Sequence, residues 1–191
     1  MVDDRFMGDF GNRRYTDNNR NNANMVDAFL AALQKTQVPK YSISSILKEA
    51  PDPEMTFESF YTTRANSFCL EVAQIVSEFG GRRKAYTPLY IYGEVGLGKT
   101  HLLSAIVNGS RLSSIMVNMV DLELELERTG NASDRLILRE WLGSGEILLL
   151  DDVQLCEGKR ELQREIFSVV NQMTRRNRGV VFCSDVPPTR L

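Results

Sequence analysis

Residues 93–100 read Gly93-Glu94-Val95-Gly96-Leu97-Gly98-Lys99-Thr100, a G-x-x-x-x-G-K-[ST] string. No other stretch restricts the fold so tightly. Its glycines let the backbone turn so that successive N–H groups point inward at phosphate oxygens. A helix starting near Lys99 adds the positive end of its dipole. Such a loop needs a strand before it and a helix after it, and the flanks supply both. Leu89-Tyr90-Ile91-Tyr92 reads as a buried strand, and Leu102, Leu103, Ile106 and Val107 share one helix face. The expected unit is strand–loop–helix, with Gly93, Gly96, Leu97, Gly98, Lys99 and Thr100 around a polyphosphate. Lys99 is expected to reach the β- and γ-phosphates, and the Thr100 hydroxyl to ligate Mg²⁺.

The same alternation runs on downstream. Ile115-Met116-Val117, Ile147-Leu148-Leu149-Leu150 and Val180-Val181-Phe182-Cys183 read as further strands. Between them Ser133 is the expected cap of a helix carrying Leu136, Ile137, Trp141 and Leu142. Leu162, Ile166, Val169, Val170 and Met173 give a longer helix. Upstream, Phe68, Val72, Ile75, Val76 and Phe79 mark a helix face closed by Gly80-Gly81. Residues 122–127, LELELE, alternate like a half-exposed strand, yet Leu and Glu favour helix, so this stretch stays open. Strands alternating with helices predict a parallel sheet covered on both faces. In such a sheet, ligands bind beyond the carboxyl ends of the strands. Asp151 and Asp152 follow one strand, so Asp151 is expected to hold Mg²⁺ and Asp152 to orient an attacking water. Ser184-Asp185 end the next strand, and before Pro187-Pro188 they also read as ordinary turn residues.

Composition narrows the class. With 191 residues and 42% hydrophobic content, one α/β domain with a real core is expected. The formal net charge of −2 gives no overall field for nucleic acid, so any such contact has to be local. No apolar run reaches the ~18 residues of a membrane span, so no membrane partner is expected. Three widely spaced cysteines, Cys69, Cys156 and Cys183, fit neither a disulfide framework nor a metal site and suit a reduced cytoplasmic setting. Residues 1–24 form an Asn-rich tail expected to be disordered. Residues 25–54 read as an accessory segment, with Met25, Val26, Phe29, Leu30 and Leu33 at helical spacing and a weaker Ile43, Ile46, Leu47 cluster.

Three stretches then resemble one known family. YTPLYIYGEVGLGKTHLLSAI (86–106), ILLLDDVQLCEGKRELQREIFSVVNQM (147–173) and VVFCSDVPPTRL (180–191) are similar to the AAA+ domain of the bacterial replication initiator DnaA. TFESFYTTRANSFCLEVA (56–73) looks like that family's entry segment, with Thr63 and Ala65 where Gly and Ser are usual. The resemblance covers about 55–191 and implies a P-loop NTPase fold of the AAA+ type. It implies ATP or ADP with Mg²⁺, Asp151 and Asp152 as the Walker B acids, and Asp185 as the first sensor. Catalytic weight then falls on Lys99, Asp152 and Asp185. His101 is also a motif position, although its ring suits a packed or surface site. The family's sheet order is 5-1-4-3-2, and its fifth strand, arginine finger, lid and helix-turn-helix follow the position of Leu191. The expectation is therefore a truncated core with weak intrinsic hydrolysis. Its implied partners are a second copy or a DnaA-family protein, with DNA as a further candidate. The alternatives are a DnaA-related regulator, a helicase-loader-like protein, or a fragment without catalysis. The alternative to truncation is that another segment covers the edge of strand 89–92, and Tyr41–Ile46, which partly alternates, is the candidate for it.

Overall fold

The computed structural model describes residues 41–45, 47 and 50–190. The expected tail and the helical spacing over 25–33 lie outside the described residues, as does Ile46. Among the described residues five α-helices and four strands follow one another: α1 (Ser67–Phe79), β1 (Leu89–Tyr92), α2 (Lys99–Gly109), β2 (Ser114–Asn118), α3 (Met119–Arg128), α4 (Ala132–Leu142), β3 (Ile147–Asp151), α5 (Arg160–Arg175) and β4 (Gly179–Ser184). All strand pairs are parallel, in the order β1-β4-β3-β2. This is the expected α/β sheet, with its four strands in the expected relative order.

The sheet's two faces follow from the period-2 geometry of strands. Leu148 and Leu150 of β3 point into a core shared with α3, α4 and α5, through Leu122, Leu126, Leu138, Leu142, Leu162, Val169 and Met173. Ile147 and Leu149 point the other way, to Ala73 and Val76 of α1 and Leu102, Leu103 and Ile106 of α2. Both faces are thus covered, as alternating strands and helices require. No buried side-chain nitrogen or oxygen among the described residues lacks a hydrogen-bond partner.

One open reading is settled and four local expectations change. The LELELE stretch is helix, because Asn118 accepts the Val120 N–H and Asp121 lies in the positive first turn. Helical spacing buries Leu122, Glu125 and Leu126 on one face and leaves Leu124 exposed. The cap of α4 is Asn131, which accepts from the N–H groups of Ser133 and Asp134; Ser133 sits inside the helix. Leu136, expected on the buried face, is 55% exposed, and Leu138 takes its place. Strand β1 is an edge strand among the described residues, so only Ile91 is buried and Tyr92 is 59% exposed.

The fourth change concerns the segment offered as the candidate cover of β1. Residues 41–45 lie instead against α3, beside β2 at the opposite end of the sheet. Buried Glu125 anchors them: its carboxylate accepts from the Tyr41 hydroxyl at 2.5 Å, the Ser44 N–H at 3.3 Å and Arg128 at 2.7 Å. Burial pushes the Glu125 carboxyl upward, but the donors from Tyr41, Ser44 and Arg128 outweigh it and hold the group below its ordinary 4.5. A carboxyl lowered on folding adds stability above its unfolded value and loses it as pH falls through the folded one. Glu125→Gln is therefore expected to melt below the parent at pH 7. The two melting temperatures should converge as acid is added below pH 4.5, which a calorimetric pH series would read.

Candidate phosphate-binding site

The loop between β1 and α2 turns at two left-handed glycines, Gly96 at φ 84° and Gly98 at φ 81°. A Cβ at Gly98 would also meet the Phe60 ring at 3.0 Å. Gly98 occupies the N-cap of α2 and brings no side chain to bond the first amides, so the helix offers those N–H groups outward. Val95 and Leu97 stand exposed on the loop. The start of the loop is tied to the sheet, since the Gly93 N–H donates to the Ser184 carbonyl of β4 at 3.2 Å.

Lys99 is nearly buried, and its Nζ donates to the carbonyls of Gly93 at 2.7 Å and Glu94 at 2.9 Å. The same ammonium pairs with Asp185 Oδ1 at 2.7 Å. The Thr100 hydroxyl donates to Asp151 Oδ2 at 2.7 Å. Asp151 is the last residue of β3 and is 3% exposed. Burial and the neighbouring Asp152 charge raise its pKa, against the Thr100 hydrogen bond that lowers it. A carboxylate held in this way favours a nearby cation. Among the described residues, no three His, Cys, Asp or Glu side chains gather into a metal site of their own. A hydroxyl and one carboxylate beside a phosphate loop are the donor set that suits Mg²⁺, which keeps few protein ligands and shares phosphate oxygens.

Asp152 follows in the left-handed region at φ 57°. Its two oxygens are both engaged: Oδ2 accepts from Asn118 Nδ2 at 2.9 Å, and Oδ1 from Gln154 Nε2 at 3.1 Å. The strand order explains the gathering. β4 lies between β1 and β3, and β2 borders β3, so Lys99, Asp185, Asp151, Asp152 and Asn118 come from adjacent strand ends. The expected residues Lys99, Thr100, Asp151, Asp152 and Asp185 are thus brought together.

His101 turns elsewhere. Its Nε2 lies 2.9 Å from the Thr56 carbonyl and 3.3 Å from the Ser59 hydroxyl, and its ring meets Phe60 edge-on. These contacts fasten the 56–66 segment alongside the loop. Between them opens a cleft of about 610 Å³, lined among others by Phe60, Tyr61, Asn66, Cys69, Ile91 and Lys99. The sequence reading missed Asn118 and Gln154 as members of the site and Phe60 as a wall of this cleft.

The family model described as the bacterial DnaA ATPase domain matches residues 52–191. The chain is 38% identical to the chromosomal replication initiator protein DnaA of Nautilia profundicola, over 73% of this chain and 32% of that protein. It is also 38% identical to the DnaA of Thermus thermophilus, over 73% of this chain and 34% of the relative. It therefore spans about a third of the length of these curated relatives. Its fold is similar to AMPPCP-bound DnaA from Aquifex aeolicus, with a TM-score of 0.68 at 32% identity, over 73% of this chain and 44% of that one. The same score and coverage describe a replication initiator DnaA bound to AMPPCP and single-stranded DNA. The likeness to DnaI, at 19% identity and a TM-score of 0.60, is one of fold. No described helix is long and apolar enough to cross a membrane.

Proposed function

This chain belongs to the bacterial DnaA ATPase-domain family, and from that membership we propose an ATP-binding AAA+ module that acts in the initiation or regulation of DNA replication. The observation that carries the reading is the meeting of Lys99, Thr100, Asp151, Asp152 and Asp185 at neighbouring strand ends beside an open glycine loop. Gly93, Gly96, Leu97 and Gly98 shape the loop, and the first amides of α2 face the phosphates. Lys99 exchanges the Gly93 and Glu94 carbonyls for the β- and γ-phosphate oxygens of ATP, or the β-phosphate of ADP. Thr100 and Asp151 would hold Mg²⁺, whose charge offsets that of the phosphates. The cleft walled by Phe60 and Asn66 is the room for the base, and His101 keeps that wall in place.

Asp152 orients the attacking water, and Asp185 senses the γ-phosphate side. Among the described residues no arginine contacts Lys99, Thr100, Asp151, Asp152 or Asp185, so hydrolysis by the chain alone is expected to be slow. An arginine supplied in trans raises phosphoryl-transfer rates by ~10³–10⁵, so a DnaA-family partner that carries one, stacked on the nucleotide, is the fitting activator; a second copy of the chain is the other expected partner. The relative bound to single-stranded DNA supports that ligand as a further partner, and the cytoplasm is the setting that a role in replication favours.

Isothermal titration with ATP tests this reading. One site per chain is expected, with tighter binding when Mg²⁺ is present than when it is chelated. Asp151→Asn is expected to remove the gain from Mg²⁺ while keeping Mg²⁺-free binding. Equal affinity for ATP and adenosine would overturn the proposal, because the phosphates would then contribute nothing.

A further inference from the structure

We propose that Gln154 is a positioning residue that ties the aim of Asp152 to the state of Asp185 across the ends of β3 and β4. The inference rests on the ATP-binding reading above. All three side-chain contacts of Gln154 are to acidic residues. Its Nε2 donates to Asp152 Oδ1 at 3.1 Å and to Asp185 Oδ2 at 3.3 Å, and its Oε1 accepts the Asp185 main-chain N–H at 3.2 Å. An amide nitrogen carries two hydrogens, so both carboxylates are served at once. Each acid turns its other oxygen outward: Asp185 Oδ1 to Lys99 Nζ at 2.7 Å, Asp152 Oδ2 to Asn118 at 2.9 Å. A continuous series therefore runs from Lys99 through Asp185 and Gln154 to Asp152.

The backbone builds this bridge. Asp152 is left-handed, and the chain enters a short 3₁₀ turn, Val153–Cys156, directly after it. That turn sends Gln154 sideways toward β4, the neighbour of β3 in the sheet. The amide offsets the repulsion of two carboxylates and fixes their spacing. When a γ-phosphate draws Lys99 from Asp185, Asp185 keeps its Gln154 contacts, and the shift passes through the amide to Asp152. A diphosphate pulls less on Lys99, so the bridge makes the Asp152 position report on the third phosphate.

Gln154→Met keeps the length of the side chain and removes its hydrogen bonds. In the full 191-residue chain, single-turnover ATP hydrolysis with protein in excess is expected to fall by about tenfold or more, the scale on which a misplaced catalytic group acts. ADP affinity should stay at the parent's value while the preference for ATP over ADP shrinks. A packing role alone would instead weaken both nucleotides together. Gln154→Glu has no N–H to give and adds a third carboxylate, so it should lose more than Gln154→Met. Parent-like hydrolysis and an unchanged ATP-to-ADP ratio in Gln154→Met would overturn the role of Gln154. A parent chain that binds no ATP would strike the underlying reading, and that result is read from the parent alone.

Discussion

Lys99→Ala is expected to weaken ATP binding by about 100-fold or more, consistent with the loss of charge-assisted hydrogen bonds to two phosphates. A second effect adds to the first. In the free chain the Lys99 ammonium is the partner of Asp185, whose side chain is 32% exposed. Removing the cation leaves that carboxylate facing the incoming polyphosphate, and like charges in a partly buried site repel strongly. Lys99→Arg should rescue little. Its planar guanidinium does not fit where a compact ammonium reaches the Gly93 and Glu94 carbonyls and Asp185 at 2.7–2.9 Å. Titration of both variants checks this. A Lys99→Ala chain that binds ATP as tightly as the parent would show that the loop does not cradle phosphate.

Gly81→Ala is expected to destabilise the fold by about 3–5 kcal/mol, among the largest effects a single methyl group produces. Gly81 is buried behind α1, and a Cβ there would lie 2.3 Å from the Asn177 carbonyl oxygen and the Arg178 carbonyl carbon. These are main-chain atoms of the turn between α5 and β4, so no side chain can swing aside. The turn is itself held: Arg178 Nη1 donates to the Gly145 carbonyl at 3.0 Å and to that of Gly143, and the Gly179 N–H donates to the Glu146 carbonyl at 2.8 Å. Displacing it disturbs the start of β4 and its pairing with β3. Thermal unfolding should show a melting temperature lower by about 10 °C, at the usual 2–4 °C per kcal/mol for a chain of this size. Gly130→Ala is the control, since its added Cβ meets only Asp134 Oδ2, at an ordinary 3.6 Å.

The loop was legible in the sequence because its chemistry is local. The residues that curve around a phosphate in 93–100 are consecutive, and the flanking apolar runs announce their strand and helix. The acids Asp151 and Asp152 were legible because they end an unmistakable strand. Asn118 and Gln154 were not. Each looks like an ordinary polar residue at an element boundary, and only the strand order places them on either side of Asp152. The same holds for Tyr41 and Glu125, which are 84 residues apart. LELELE stayed open for a different reason: its period fits a strand and its residue types a helix. The deciding signal was the capping Asn118 one turn earlier.

The parallel pairing of β1 with β4 joins stretches far apart in the chain; the Tyr90 hydroxyl reaches the Val186 carbonyl across 96 residues. Closing so large a loop costs entropy before any contact rewards it, and topologies of this kind fold slowly. Lys99 and Asp185 sit on opposite sides of that last seam. A nascent chain therefore has its glycine turn early and its acidic counterpart late, so nucleotide should protect only finished molecules from proteolysis and leave partly synthesised ones open to it.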